Sequence, residues 1–220
     1  MTRPRSTLVA AMVIAAGALC ACASGPKVPD WRVNAVGHAD RFAEAYLKGD
    51  ERVAAREFAL ARSEVARTGR PELVARIELT RCAAQVAALV FGPCTGFAPL
   101  RADAGPAERA YADYLAGQSL AADDVAQLPA VHRPTAAGAA LPAPDQPLAR
   151  LIAAGVLLQR GQATPAQVEA AVATASGQGW RRPLLAWLGV QARLARERGD
   201  AAGAARIRRR MDLVAPPTAQ

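Results

Sequence analysis

Between residues 30 and 214, apolar side chains return every three or four positions and stop at Gly or Pro; no stretch alternates like a strand. A period near 3.6 puts such residues on one face of a helix. Ala35, Ala39, Phe42 and Tyr46 form the first face, entered at Asp30, a good N-cap before Trp31, and stopped by Gly49-Asp50. Ala54, Phe58, Ala61 and Val65 form the second, in a helix from about Glu51 to Thr68. Thr68-Gly69-Arg70-Pro71 breaks the chain, and a third helix is expected from Pro71 to Val90, before Gly92-Pro93. Order returns at Leu148, with one helix to about Gly161, a second opened by Thr164-Pro165, a third from Pro183 to Arg198, and a last from Ala201 to Val214 after Gly199-Asp200.

The composition supports the pattern. Apolar residues make up 52% of the 220, yet aromatic residues only 5%, so alanine carries much of the apolar count. Alanine is the best helix former and adds little bulk. Closely packed helices suit such a chain, whereas a β-sandwich draws on β-branched and aromatic residues. The fold expected is all-α: antiparallel helical hairpins, as a short solenoid or an irregular helical bundle.

Six segments follow: a leader over 1–21, a tether over 22–30, a helical hairpin region over 31–98, a connection over 99–147, a second hairpin region over 148–215 and a tail over 216–220. The connection is rich in Pro, Ala and Gly. Short helices are expected there, at Pro106–Ala116 and after a Ser119 cap, with a long loop or a partly disordered connection over 129–147.

The leader has the layout of an export signal. Arg3 and Arg5 provide a positive start, and Leu8 to Leu19 an apolar run shorter than the roughly 20 residues that span a bilayer. Leu19-Cys20-Ala21-Cys22 then resembles the bacterial lipobox, with Cys20 departing from the usual small residue at its position. The resemblance implies cleavage before Cys22, diacylglycerol on its thiol and a fatty acyl chain such as palmitate on its new amine. Ala23-Ser24 after the cysteine, with no Asp, resembles the pattern of lipoproteins sorted to the outer membrane, facing the periplasm.

The first hairpin carries a further resemblance. Ala54, Phe58 and Ala61 match the small–aromatic–small pattern in the second helix of tetratricopeptide repeats. Residues of about 31–68 resemble one such repeat and 183–214 a degenerate one, with Ala204 aligned but Arg208 at the aromatic position. The first helices lack the repeat's W-x-x-L-G signature. What the resemblance implies is a scaffold that holds an envelope protein or peptide.

An exported chain meets an oxidising compartment, so Cys82 and Cys94 are expected to form a disulfide across the Gly92-Pro93 turn. The alternative, a redox or metal site, has no C-x-x-C, and only His38 and His132 as nitrogen ligands. G-x-S-x-G, H-E-x-x-H and phosphate-cradling glycine motifs are absent, and Asp123-Asp124 read as a solvated helix face. The chain is therefore read as non-catalytic, without cofactor or metal.

The net charge is +8 and nearly all arginine, Lys27 and Lys48 being the only lysines. The scatter of these arginines and the export signal argue against nucleic acid as partner. The candidate partner-binding residues are Trp180, in a turn beside Arg181-Arg182, and Arg206 and Arg210, four apart in the densest basic cluster. The cluster also admits a purely structural reading, as cations offsetting a helix dipole. Two other functions stay open: a structural envelope lipoprotein touching anionic lipid or cell-wall polymer, and an envelope hydrolase whose site would be a deep pocket holding His38 or His132 beside a carboxylate.

Overall fold

The computed structural model describes residues 28–215, so the leader, Cys22, most of the tether and the tail lie outside the described residues. Residues 1–30 separate as a unit of their own, described only over 28–30; residues 31–220 form a second, compact unit. Among the described residues the chain is all-helical, with ten α-helices and no strand.

The helices are α1 (Asp30–Lys48), α2 (Glu51–Ala66), α3 (Pro71–Ala87), α4 (Pro106–Leu115), α5 (Ala122–Gln127), α6 (Arg133–Ala136), α7 (Pro147–Gln159), α8 (Pro165–Gly177), α9 (Arg181–Glu197) and α10 (Ala201–Val214). Neighbours in sequence are mostly neighbours in space: α2 packs on α3, α3 on α4, α7 on α8, α8 on α9 and α9 on α10. The main departure is α3, which also packs on α7 and so joins the two hairpin regions. Most of α3 is buried, including Val74, Ala75, Leu79, Ala83, Ala84 and Ala87.

The two Gly-Asp turns work alike. Gly49 and Gly199 take positive φ (86° and 76°), a conformation that costs any other residue about 1–2 kcal/mol. The following amide reaches back to Ala45 and Ala195 respectively, at 2.9 Å, satisfying a carbonyl left free by the ending helix. Asp50 and Asp200 then cap the next helix, accepting from the Val53 amide at 3.1 Å and the Gly203 amide at 2.7 Å. Helix α8 opens with a full capping box between Thr164 and Gln167.

Helix α3 ends three residues before the expected Val90. Leu89 adopts φ 59°, and the Leu89 and Val90 amides bond back to Val86 and Gln85, closing the helix with a Schellman turn. Cys94 returns to Cys82 at disulfide distance, with Cα atoms 5.9 Å apart.

Of the two expectations for 129–147 the structure shows the loop, interrupted by α6 and packed against the rest of the connection. Tyr114, Leu115, Leu128, His132 and Thr135 are all buried. The loop after α5 is held by side chains that donate to its carbonyls: Arg133 to Leu128 at 2.8 Å, Thr135 to Ala140 at 2.7 Å and Arg150 to Pro142 at 2.5 Å. Such bonds satisfy backbone groups that a loop in this position would otherwise bury unpaired. Ala121, not Ser119, stands at the N-cap of α5.

Candidate functional site

Helices α1 and α3 face each other across a groove of about 470 Å³. Its floor belongs to a second hydrophobic cluster, separate from the main core, in which Ala35, Ala61, Val65, Val74 and Ile77 are buried and Trp31, Ala39 and Leu73 pack partly covered. Helix α1 puts Trp31, Ala35 and Ala39 along one wall at helical spacing, and α3 puts Leu73, Ile77 and Thr80 along the other. Val36 stands on the rim, 57% exposed. Arg32, Arg70 and Arg76 also line the groove, with Asp40 as its acid.

Arg76 is shared with a second cavity, of about 430 Å³, between α3, α4 and the turn after α5. Leu79, Leu128 and Pro129 give it apolar walls, and Tyr111, Gln127 and Arg133 give it polar ones. Arg76 Nε donates to Glu108 Oε1 at 2.6 Å, and the Glu108 side chain is only 7% exposed. This pair ties α3 to α4 at the point where the two cavities meet.

Behind the second cavity lies a stack of rings. His132 lies 5.7 Å from Tyr111 and 5.2 Å from Tyr114, centroid to centroid. His132 Nδ1 and the Tyr114 hydroxyl are buried without a hydrogen-bond partner. Desolvation pushes the His132 pKa down to about 4, so the ring is neutral near pH 7. The same desolvation pushes both tyrosines up.

His38 does meet a carboxylate: its Nδ1 lies 2.7 Å from Glu57 Oε2, which also accepts from Arg41 Nε at 2.8 Å. Hydrogen bonds from His38 and then Arg41 hold the Glu57 carboxyl below its ordinary range. The cluster links α1 to α2. Neither histidine lines the two cavities above or a third, smaller one beside Leu141 and Arg150. Among the described residues no three His, Cys, Asp or Glu side chains converge as a metal site would require.

Trp180 is corrected as a partner contact. It is 6% exposed, and its Nε1 donates to Glu44 Oε2 at 2.8 Å. Burial raises the Glu44 pKa, but hydrogen bonds from Lys48 and Trp180 outweigh it and leave the carboxyl lowered. Beside it, Arg182 donates to the Tyr46 carbonyl at 2.7 Å, pairs with Glu51 and lies over the Tyr46 ring at 4.2 Å. Trp180 and Arg182 thus clamp the start of α9 onto the α1–α2 turn. A Trp-Arg-Arg run at a helix start can be exposed or anchored, and only the distant Glu44 decides between them.

Arg206 and Arg210 are exposed, as expected of a contact surface. For these two the helix-dipole account is corrected, because the last turn of α10 holds no basic residue and the dipole's influence fades beyond one turn; Arg196 of the same cluster does stand in the last turn of α9, with Arg198 at its C-cap. In the first hairpin Ala54 and Ala61 are buried, and Phe58 lies between the Phe42 ring at 5.3 Å and the Arg81 guanidinium at 4.5 Å. The sequence marked these positions, but not the groove on the far side of α1.

No protein-family model, curated protein or solved structure matches this chain.

Proposed function

We propose that this protein is a lipid-anchored, non-catalytic scaffold of the bacterial envelope, fastened to the outer membrane through Cys22, which holds a segment of another protein in the groove between α1 and α3. The observation that carries the reading is the groove itself. A trough of about 470 Å³, floored by its own apolar cluster, runs between two helices and continues past Arg76 toward a second cavity. Grooves of this kind take an extended or helical segment through apolar anchors, and charged rims set its register. The leader's lipobox pattern supports the compartment, and the Cys82–Cys94 proximity suits an oxidising one.

The test is photo-crosslinking in the cell from a reactive side chain placed at Val36, with Arg52 on the exposed side of α2 as control. A discrete product from position 36, absent at 52 and lost when Thr80→Glu puts a charge in the groove, is the expected result. Equal labelling from both positions, or a product indifferent to Thr80→Glu, would remove the groove from the account.

A further inference from the structure

The arginines of this protein fall into two populations. Apart from Arg32, Arg52 and Arg56, every described arginine before residue 196 has an acidic, hydroxyl or carbonyl partner: Arg62 and Arg81 on Glu78, Arg76 on Glu108, Arg101 on Asp113, Arg182 on Glu51. From residue 196 onward none has one among the described residues. Arg196 and Arg198 end α9, and Arg206, Arg208, Arg209 and Arg210 follow on α10, all exposed. Outside this corner only Arg32, Arg52 and Arg56 stand without a partner among the described residues; here six arginines do, with Asp212 the one carboxylate on α10.

Helix α10 also has an uncovered side. It packs on α9 through Gly203, Ala204, Ile207, Met211 and Val214. Away from that strip, at helical spacings of three and four, run Arg206, Arg209, Arg210 and Leu213. Leu213 is 83% exposed, the most exposed of the large apolar residues among those described. It follows Arg209 by four and Arg206 by seven, so the apolar tip stands beside the cations.

We infer that this face of α10 is a second attachment surface, and that its partner is a bilayer rich in anionic lipid, with the arginines on phosphate headgroups and Leu213 entering the interface. Dispersed cations alone would suit any polyanion. An apolar side chain among them has no role on a soluble acidic polymer or a sugar chain, but gains by leaving water at a membrane surface. Long arginine side chains keep their charge at the headgroups while their stems lie along the apolar layer. The inference does not depend on the groove. It complements the anchor proposed at Cys22, since acyl chains with a polybasic patch hold a protein more firmly than either one alone.

The experiment measures partitioning of the full chain onto vesicles of phosphatidylcholine alone and of an equal mixture with phosphatidylglycerol. The readout is the ratio of the two affinities, in which charge-independent binding by the rest of the chain cancels. Each arginine near an anionic surface is worth roughly fivefold, so the triple substitution Arg206→Gln, Arg209→Gln, Arg210→Gln should lower the ratio about a hundredfold. All three are exposed and unpartnered, so the fold stays intact. Leu213→Ser should weaken binding to the mixed vesicles by about tenfold while leaving the ratio nearly unchanged. A ratio unmoved by the triple substitution overturns the inference. So does a wild-type chain that binds dextran sulfate as tightly as the mixed vesicles with Leu213→Ser without effect, which would assign the corner to a soluble polyanion.

Discussion

Replacing Gly155 by alanine tests the joint between the two hairpin regions. Gly155 lies within α7, where a glycine costs about 1 kcal/mol relative to alanine, so propensity alone favours the change. Packing opposes it. A Cβ built there would stand 2.4 Å from the Val86 carbonyl oxygen and 3.0 Å from Val86 Cγ1. The nearer atom is helix backbone and cannot rotate away, so α3 and α7 must separate by about 1 Å. That separation unseats Ala84 and Ala87 on one side and Ala153 and Ala154 on the other, all fully buried. Overpacking of this kind costs roughly 1–3 kcal/mol, and with backbone as the obstacle the upper part of that range applies, so against the gain of about 1 kcal/mol in propensity the net loss reaches about 2 kcal/mol. Gly189, inside α9, supplies the control, because a Cβ there meets nothing within 4 Å. Gly189→Ala should therefore stabilise by about 0.5–1 kcal/mol. Urea unfolding followed by circular dichroism should move the two midpoints in opposite directions with the slope unchanged. Equal shifts, or a Gly155→Ala protein more stable than the parent, would show that the α3–α7 approach is not close.

Trp187 is fully buried and its Nε1 donates to the carbonyl of Ala87, the last residue of α3, at 3.1 Å. Trp187→Phe keeps a ring but strands that acceptor, so denaturant titration should show a loss of about 1–3 kcal/mol. Converting Cys82 and Cys94 to serine should cost about 3 kcal/mol through the loop-entropy term for a separation of 12 residues, and non-reducing mass spectrometry of the parent should find the pair joined. His132 takes up its proton less readily folded, near pH 4, than unfolded, near 6.5. The unfolded chain therefore binds more protons between those values, and stability should fall by about 3 kcal/mol as pH drops through them. His132→Phe should flatten that part of the stability–pH curve, and an undiminished slope would place the acid sensitivity elsewhere.

How much of this was legible in the sequence depended on where each interaction partner lies. Helices with a strong apolar rhythm and a stop residue were readable: Ala201–Val214 falls where expected, and Asp50, Thr164 and Asp200 cap their helices locally. The end of α3 was not, because a leucine occupies the left-handed position that glycine or asparagine usually signals. The stretch from 129 to 147 looked loose because it has few strong apolar runs. What fixes it is a stack of Tyr111, Tyr114 and His132 rings and single side-chain bonds to carbonyls, and these have no period. At the candidate site the arginine cluster near residue 206 was visible as composition, and its lack of acidic partners was not. The groove escaped for a related reason. Its walls come from residues 31–40 and 70–80, which the helical rhythm marks as core; only the packing leaves a trough between them.

The mass of the mature protein's first peptide tests the account where most else depends on it. The account predicts cleavage before Cys22 and three acyl chains on that residue, lost in a Cys22→Ala variant. An unmodified Cys22 in a chain that still carries Met1, recovered from the cytosol, would contradict the anchor and the compartment together.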